Sequence, residues 1–148
     1  MFSKFTNRVP LVLIAVVLMV LLLISAAHKS ISSSAPIDIA QDSKLSSEEK
    51  FSRLANLAYS ENKDPKALFL LYNMLYHGQG TPVSTETALI MLKKSANAGY
   101  PVAQEELGFI FLHGTAHYEK DLSLAYHWLN KAAKSGMAKS KKYLHSSS

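Results

Sequence analysis

The sequence predicts an all-α fold: an N-terminal transmembrane or signal helix followed by a short α-solenoid of helical hairpins. Three observations carry this. Residues 11–27 form one apolar run in which Ser25 is the sole polar member. The rest of the chain resembles itself at a spacing of 36–37 residues, the period of arrays in which each helical hairpin buries its apolar face only against its neighbours. No stretch alternates apolar and polar residues over strand length. At 148 residues the chain holds one folded domain plus a targeting or linking segment, and not two domains.

The first element spans residues 1–28. Leu11 to Ala27 is 17 residues; as a helix it would measure about 26 Å, just short of a ~30 Å hydrocarbon core. A soluble core helix would show a polar stripe, and this run has none. Lys4 and Arg8 precede it with no acid before Asp38, which orients the N-terminus to the cytoplasm and exports the remainder of the chain. In a bacterium that places a single-pass protein in the inner membrane with its domain in the periplasm. Ser25-Ala26-Ala27 also suits a signal peptidase, so release into the periplasm after cleavage near Ala27 is the alternative. The Leu and Val richness favours retention as an anchor.

Residues 29–45 read as a flexible linker, with Ser30, Ser32, Ser33 and Ser34 ahead of Ala35-Pro36 and only sparse, aperiodic apolar residues.

Residues 46–148 are the folded domain. Ser46 with Glu49 has capping-box spacing and opens a helix to about Ser60. Asp64-Pro65 supplies an N-cap and an N1 proline for a helix that ends at Gly78. Ser84 caps a helix stopping at Gly99, Pro101 opens one ending at Gly114, and Asp121 caps one ending at Gly136. A short last helix carries Tyr143 and Leu144. The repeat links Ala67-xxx-Leu71 to Ala103-xxx-Leu107, His77-Gly78 to His113-Gly114, Ala88 to Ala125, Ala96 to Ala133 and Gly99 to Gly136. Gly108, Ala132 and the alanines let helices approach, and Leu71, Leu107, Trp128 and Leu129 fill the space between.

The chain has no cysteine, which removes a disulfide framework, a zinc-thiolate site and a Cys nucleophile together. The formal charge of +5 divides as +3 over residues 1–30, −2 over 31–65 and +4 over 66–148, not a nucleic-acid-binding profile. His113 and His117 stand four apart, but Gly114 separates them and no carboxylate or thiolate completes a metal set. No serine sits in a Gly-x-Ser-x-Gly elbow or beside a His–Asp pair. The expectation is no catalytic residue, no metal and no cofactor. Lys131, Lys134, Lys139, Lys141 and Lys142 form an acid-free basic run, which reads either as a solvated face or as a dock for an acidic surface.

The run Ala103-xxx-Leu107-Gly108-xx-Phe111-xx-Gly114, then Asp121-xxx-Ala125-xx-Trp128-xx-Lys131-Ala132-Ala133-xx-Gly136, resembles a Sel1-like repeat, a relative of the tetratricopeptide hairpin. Residues 67–99 match a second copy, with Tyr72 at the Gly108 position and Met91 at the Trp128 position; in the 103–136 copy Ala116 stands in place of the second loop glycine, Gly80. The resemblance implies that the first helix of each pair lines a concave face. Its lining residues here would be Lys66, Phe69, Asn73, Tyr76, His77, Val102, Glu105, Phe109, Leu112 and His113. Together with the apolar run of residues 11–27, it implies a protein partner, reached by a membrane-anchored adaptor without catalysis. It also admits two alternatives: an immunity protein against a periplasmic toxin such as a type VI secretion phospholipase, and a cell-envelope enzyme or ligand-binding protein.

Overall fold

The computed structural model describes residues 19–20, 35–61 and 63–146. The apolar run of residues 11–27 lies outside the described residues except for Met19 and Val20, as do residues 29–34 of the expected linker. Among the described residues no helix is long and apolar enough to cross a membrane.

From Ala35 onward the chain is helical, with no strand among the described residues. These residues form seven helices in order: α1 Pro36–Gln41, α2 Ser47–Tyr59, α3 Pro65–His77, α4 Thr85–Asn97, α5 Pro101–His113, α6 Leu122–Lys134 and α7 Ala138–Ser146. Helices α3 with α4 and α5 with α6 form the two hairpins; α2 packs on α3, α4 on α5, α7 on α6, and α1 against both α2 and α3.

Five of these helices begin where the sequence signals place them. Ser46 and Glu49 exchange both hydrogen bonds of a capping box at 3.2 and 2.9 Å, so two amides that the first turn leaves without helical partners are satisfied. Asp64 Oδ1 accepts from the amides of Lys66 and Ala67 at 2.8 and 3.2 Å, and Asp121 Oδ1 from that of Leu124 at 2.9 Å. Pro101 starts α5 at a position where its missing amide costs nothing. Ser84 corrects the expectation: it precedes α4, but its hydroxyl pairs with Thr87 Oγ1 at 2.8 Å and makes no bond to a helix amide.

The linker expectation is corrected at its C-terminal end. Residues 36–41 are the helix α1, with Pro36 and Ile39 buried. Ile39 joins the same core as Leu54 and Leu71, so this short helix covers apolar surface that the first hairpin would otherwise expose to water.

The core runs from Ile39 through Leu54, Ala67, Leu71, Ala88, Leu92, Ala103 and Leu107 to Trp128. Small residues set the helix spacing. A Cβ built on Gly108 would stand 2.8 Å from Leu129 Cγ, so α5 and α6 approach as closely as they do because position 108 has no side chain. Polar bonds tie the elements: Ser95 Oγ donates to the Pro65 carbonyl at 2.5 Å, and Gln104 Nε2 to the Ala96 carbonyl at 3.2 Å across the junction between hairpins. Glu105 Oε1 accepts from both the amide and the hydroxyl of Ser140, at 2.9 and 2.7 Å, and so docks the first turn of α7.

Candidate partner-binding groove

Between α3 and α5 lies a groove of about 690 Å³. Helix α3 contributes Phe69, Tyr72, Asn73, Tyr76 and His77; α5 contributes Glu106, Phe109, Ile110 and His113; Thr85 and Leu89 come from α4, and Gly114 to His117 from the loop after α5. Residues three and four apart share one helix face, which is why 69, 72, 73, 76 and 77 fall together, as do 106, 109, 110 and 113.

Six of the ten residues assigned to the concave face meet in this groove: Phe69, Asn73, Tyr76, His77, Phe109 and His113. The other four do not line it. Glu105 is occupied with Ser140; the backbone of Lys66 is held by Asp64; Val102 and Leu112 are half-buried elsewhere on α5.

The aromatic residues form a chain along α3. The rings of Phe69 and Tyr72 lie 5.7 Å apart, those of Tyr72 and Tyr76 5.7 Å, and Tyr76 meets His77 edge-on at 5.2 Å. Phe69 also packs on Tyr100 at 5.4 Å and against the core, so it is part scaffold and part lining. Phe109 is likewise shared: His113 stacks on it at 6.2 Å, while Tyr143 and the Lys139 ammonium approach it from α7, the ammonium 4.0 Å from the ring centroid. Tyr76 is 44% exposed and so open to a partner.

Tyr72 is absent from the expected lining residues. It is 6% exposed and its hydroxyl faces Glu106 Oε1 across the groove at 3.5 Å. Its phenol is pushed up to about 12, first by burial, then by the charge of Glu106, by Tyr76 and by the hydrogen bond to Glu106. Tyr72 therefore stays a neutral donor facing a carboxylate. The signal that could have found it is its size: a tyrosine stands where the second repeat has a glycine.

The polar groups are aimed by the backbone. Asn73 Nδ2 donates to the Phe69 carbonyl at 3.3 Å. His113 Nδ1 lies 2.9 Å from the Phe109 carbonyl oxygen; a carbonyl only accepts, so Nδ1 carries the proton and Nε2 is the free nitrogen. Although His77, His113 and His117 all line the groove, no group of three or more His, Cys, Asp or Glu residues able to hold a metal exists among the described residues. The arrangement offers aromatic faces and a few hydrogen-bonding groups to a ligand surface. The basic run is partly spent on packing, since Lys131 covers the Trp128 ring at 4.9 Å as Lys139 covers Phe109.

Comparisons with known proteins agree with this architecture. The Sel1 repeat family matches at residues 65–100 and 101–137. Among solved structures, a Sel1 repeat protein from Oxalobacter formigenes is similar at 28% identity and a TM-score of 0.59, over 63% of this chain and 68% of that one. A protective antigen of uropathogenic Escherichia coli strains, displaying an SLR fold, superposes with a TM-score of 0.64 at 20% identity. It aligns with 74% of this chain, which spans 23% of the antigen's length, and the likeness concerns the fold alone. Comparison with proteins of curated function gives no match. The two hairpins α3–α4 and α5–α6 are tandem Sel1 repeats, and this chain is a Sel1-repeat protein.

Proposed function

We propose that this protein is a membrane-tethered, periplasm-facing adaptor that captures another protein in the groove between α3 and α5 and performs no chemistry of its own. Sel1-repeat proteins generally act in protein–protein interaction, and the fold typically serves as a non-catalytic scaffold. The observation that carries the reading is the groove itself: aromatic faces from both repeats converge on about 690 Å³ of surface concavity, the kind of site in which binding energy concentrates on a few aromatic anchors. The tether and the compartment rest on the apolar run of residues 11–27 behind Lys4 and Arg8.

Two measurements test it. Affinity capture from detergent-solubilised membranes should recover a partner with the wild type and lose it with Tyr76→Ala. Truncating an exposed anchor commonly costs ~2 kcal/mol or more in binding, while the helical circular dichroism should not change. Capture indifferent to Tyr76 would sink the groove. A reporter active only outside the cytoplasm, fused after Ser148, should be active; a silent fusion would overturn the export.

A further inference from the structure

We infer that the groove takes an arginine-bearing, otherwise uncharged segment of the partner, with its guanidinium seated between the Glu106 carboxylate and the Tyr76 ring. This rests on the adaptor reading of the groove and adds the chemistry of what fills it. Residues 66–148 carry nine bases against five acids. Yet among the described residues no lysine or arginine lines this concavity, and Glu106 is its one carboxylate. Its other titratable groups are Tyr72, Tyr76, His77, His113 and His117, and the α4 wall, Thr85 and Leu89, is uncharged. Counting histidine neutral, the groove of a basic domain therefore carries a single negative charge.

That carboxylate is available. Glu106 is exposed and forms no ion pair among the described residues, whereas Glu105 beside it is taken by the amide and hydroxyl of Ser140. Glu106 Oε1 has only the Tyr72 hydroxyl at 3.5 Å, a long hydrogen bond from a neutral phenol that cannot cancel its charge. Lys139 does not cancel it either: its ammonium sits 4.0 Å from the Phe109 ring centroid and pairs with no carboxylate among the described residues. The rings narrow the choice of cation. Phe109 already meets Lys139 and His113, and Tyr72 is buried, but Tyr76 keeps an open face 5.7 Å from the Tyr72 ring. A guanidinium is planar and weakly hydrated, so it stacks on such a face while its fork of N–H groups donates to a carboxylate. Its apolar stem covers Leu89 and Ile110 along the groove. A lysine ammonium holds its water more strongly and has no plane to stack. The surplus of bases over residues 66–148 repels a polybasic tract, which leaves one arginine in uncharged surroundings.

The test pans a random-sequence peptide display library against the full chain in neutral detergent, at one fixed pH of 8.0. Wild type is run in parallel with Glu106→Gln and Tyr76→Ala, each first checked for helicity and melting temperature. Glu106→Gln keeps an acceptor for the Tyr72 hydroxyl, so the fold should not change. Peptides enriched on the wild type should carry one arginine among apolar residues. Remade with citrulline, which has the shape of arginine without its charge, a clone should bind the wild type about tenfold more weakly. Glu106→Gln should weaken the arginine peptide about three- to fivefold and leave binding of the citrulline peptide unchanged. Added salt should shrink the Glu106→Gln effect, and lysine in place of arginine should fall between arginine and citrulline. Enrichment of acidic, polybasic or uncharged peptides, an arginine peptide indifferent to Glu106→Gln, or no enrichment at all would overturn the proposal. Uncharged peptides lost with Tyr76→Ala would leave the groove standing without its arginine site. Peptides indifferent to both substitutions would remove both.

Discussion

Positions 72 and 108 are the same place in the two repeats, and they do opposite work. In the second hairpin the bare Gly108 lets Leu129 sit where a Cβ would otherwise be, and α5 and α6 close on each other. In the first, Tyr72 packs between Phe69 and Tyr76 and reaches toward Glu106 of the neighbouring repeat. The large core position differs too. Met91 offers its sulfur to the Tyr59 hydroxyl of α2 at 3.5 Å, whereas Trp128 is flanked by His127 and Lys131 of its own helix. The loops diverge in step. Gly80 has φ +70° and leaves no room for a Cβ against the Ser47 backbone, so that loop lies tight on α2, while its counterpart Ala116 lies exposed at the groove mouth. The shared positions build the hairpin, and the departures from them build the groove and the contact with α2.

The largest effect that would sharpen this comparison is at the core pair. Trp128→Ala should cost ~3–5 kcal/mol and Met91→Ala ~2–5 kcal/mol, against a total stability on the order of 5–15 kcal/mol for a domain of this kind. Thermal melts followed by circular dichroism would rank them. A larger loss at Met91 would mean that the first hairpin, braced by α2, dominates the fold.

A smaller effect separates the caps. Asp121→Ala removes the bond to the Leu124 amide and should destabilise by about 1 kcal/mol. Ser84→Ala removes only the contact with Thr87 and should cost clearly less. Equal losses would show that Ser84 caps α4 in solution.

A further effect appears only in alkali. Between its ordinary value near 10 and about 12 in the fold, Tyr72 keeps a proton that the unfolded chain releases. Its contribution to stability is therefore complete below pH 10 and is lost as the pH rises toward 12. Tyr100 is shifted the same way, by burial and then by Asp64, and adds to the slope. Tyr72→Phe should flatten the fall in melting temperature between pH 10 and 12 without erasing it. An unchanged slope would place the Tyr72 hydroxyl in water rather than against Glu106. The second repeat has no counterpart, because Gly108 cannot ionise.

How far the sequence could be followed depends on what each feature needs. The capping box at Ser46, the proline starts at 65 and 101 and the glycine stops at 78 and 114 are local chemistry, and helix ends follow from such signals within a turn. The pairing of helices into hairpins was legible because the period repeats, and a unit that buries itself against its neighbour must preserve that period. Six of the ten expected face residues lie together for the same reason.

Three things were decided by tertiary contact alone. Helix α1 has six residues and no apolar period; isolated helices that short are marginal in water, and burial of Ile39 against the first hairpin holds it in place. Glu105 left the face for Ser140 because α7 needed an acceptor for its first-turn amide. Tyr72, Glu106, Thr85 and Leu89 joined the groove because the way one hairpin is set against the next determines which flank of each helix looks inward. Periodicity along a single chain specifies the stripe a helix buries in its own hairpin, but the second neighbour it meets lies across space, where sequence spacing carries no information about angle.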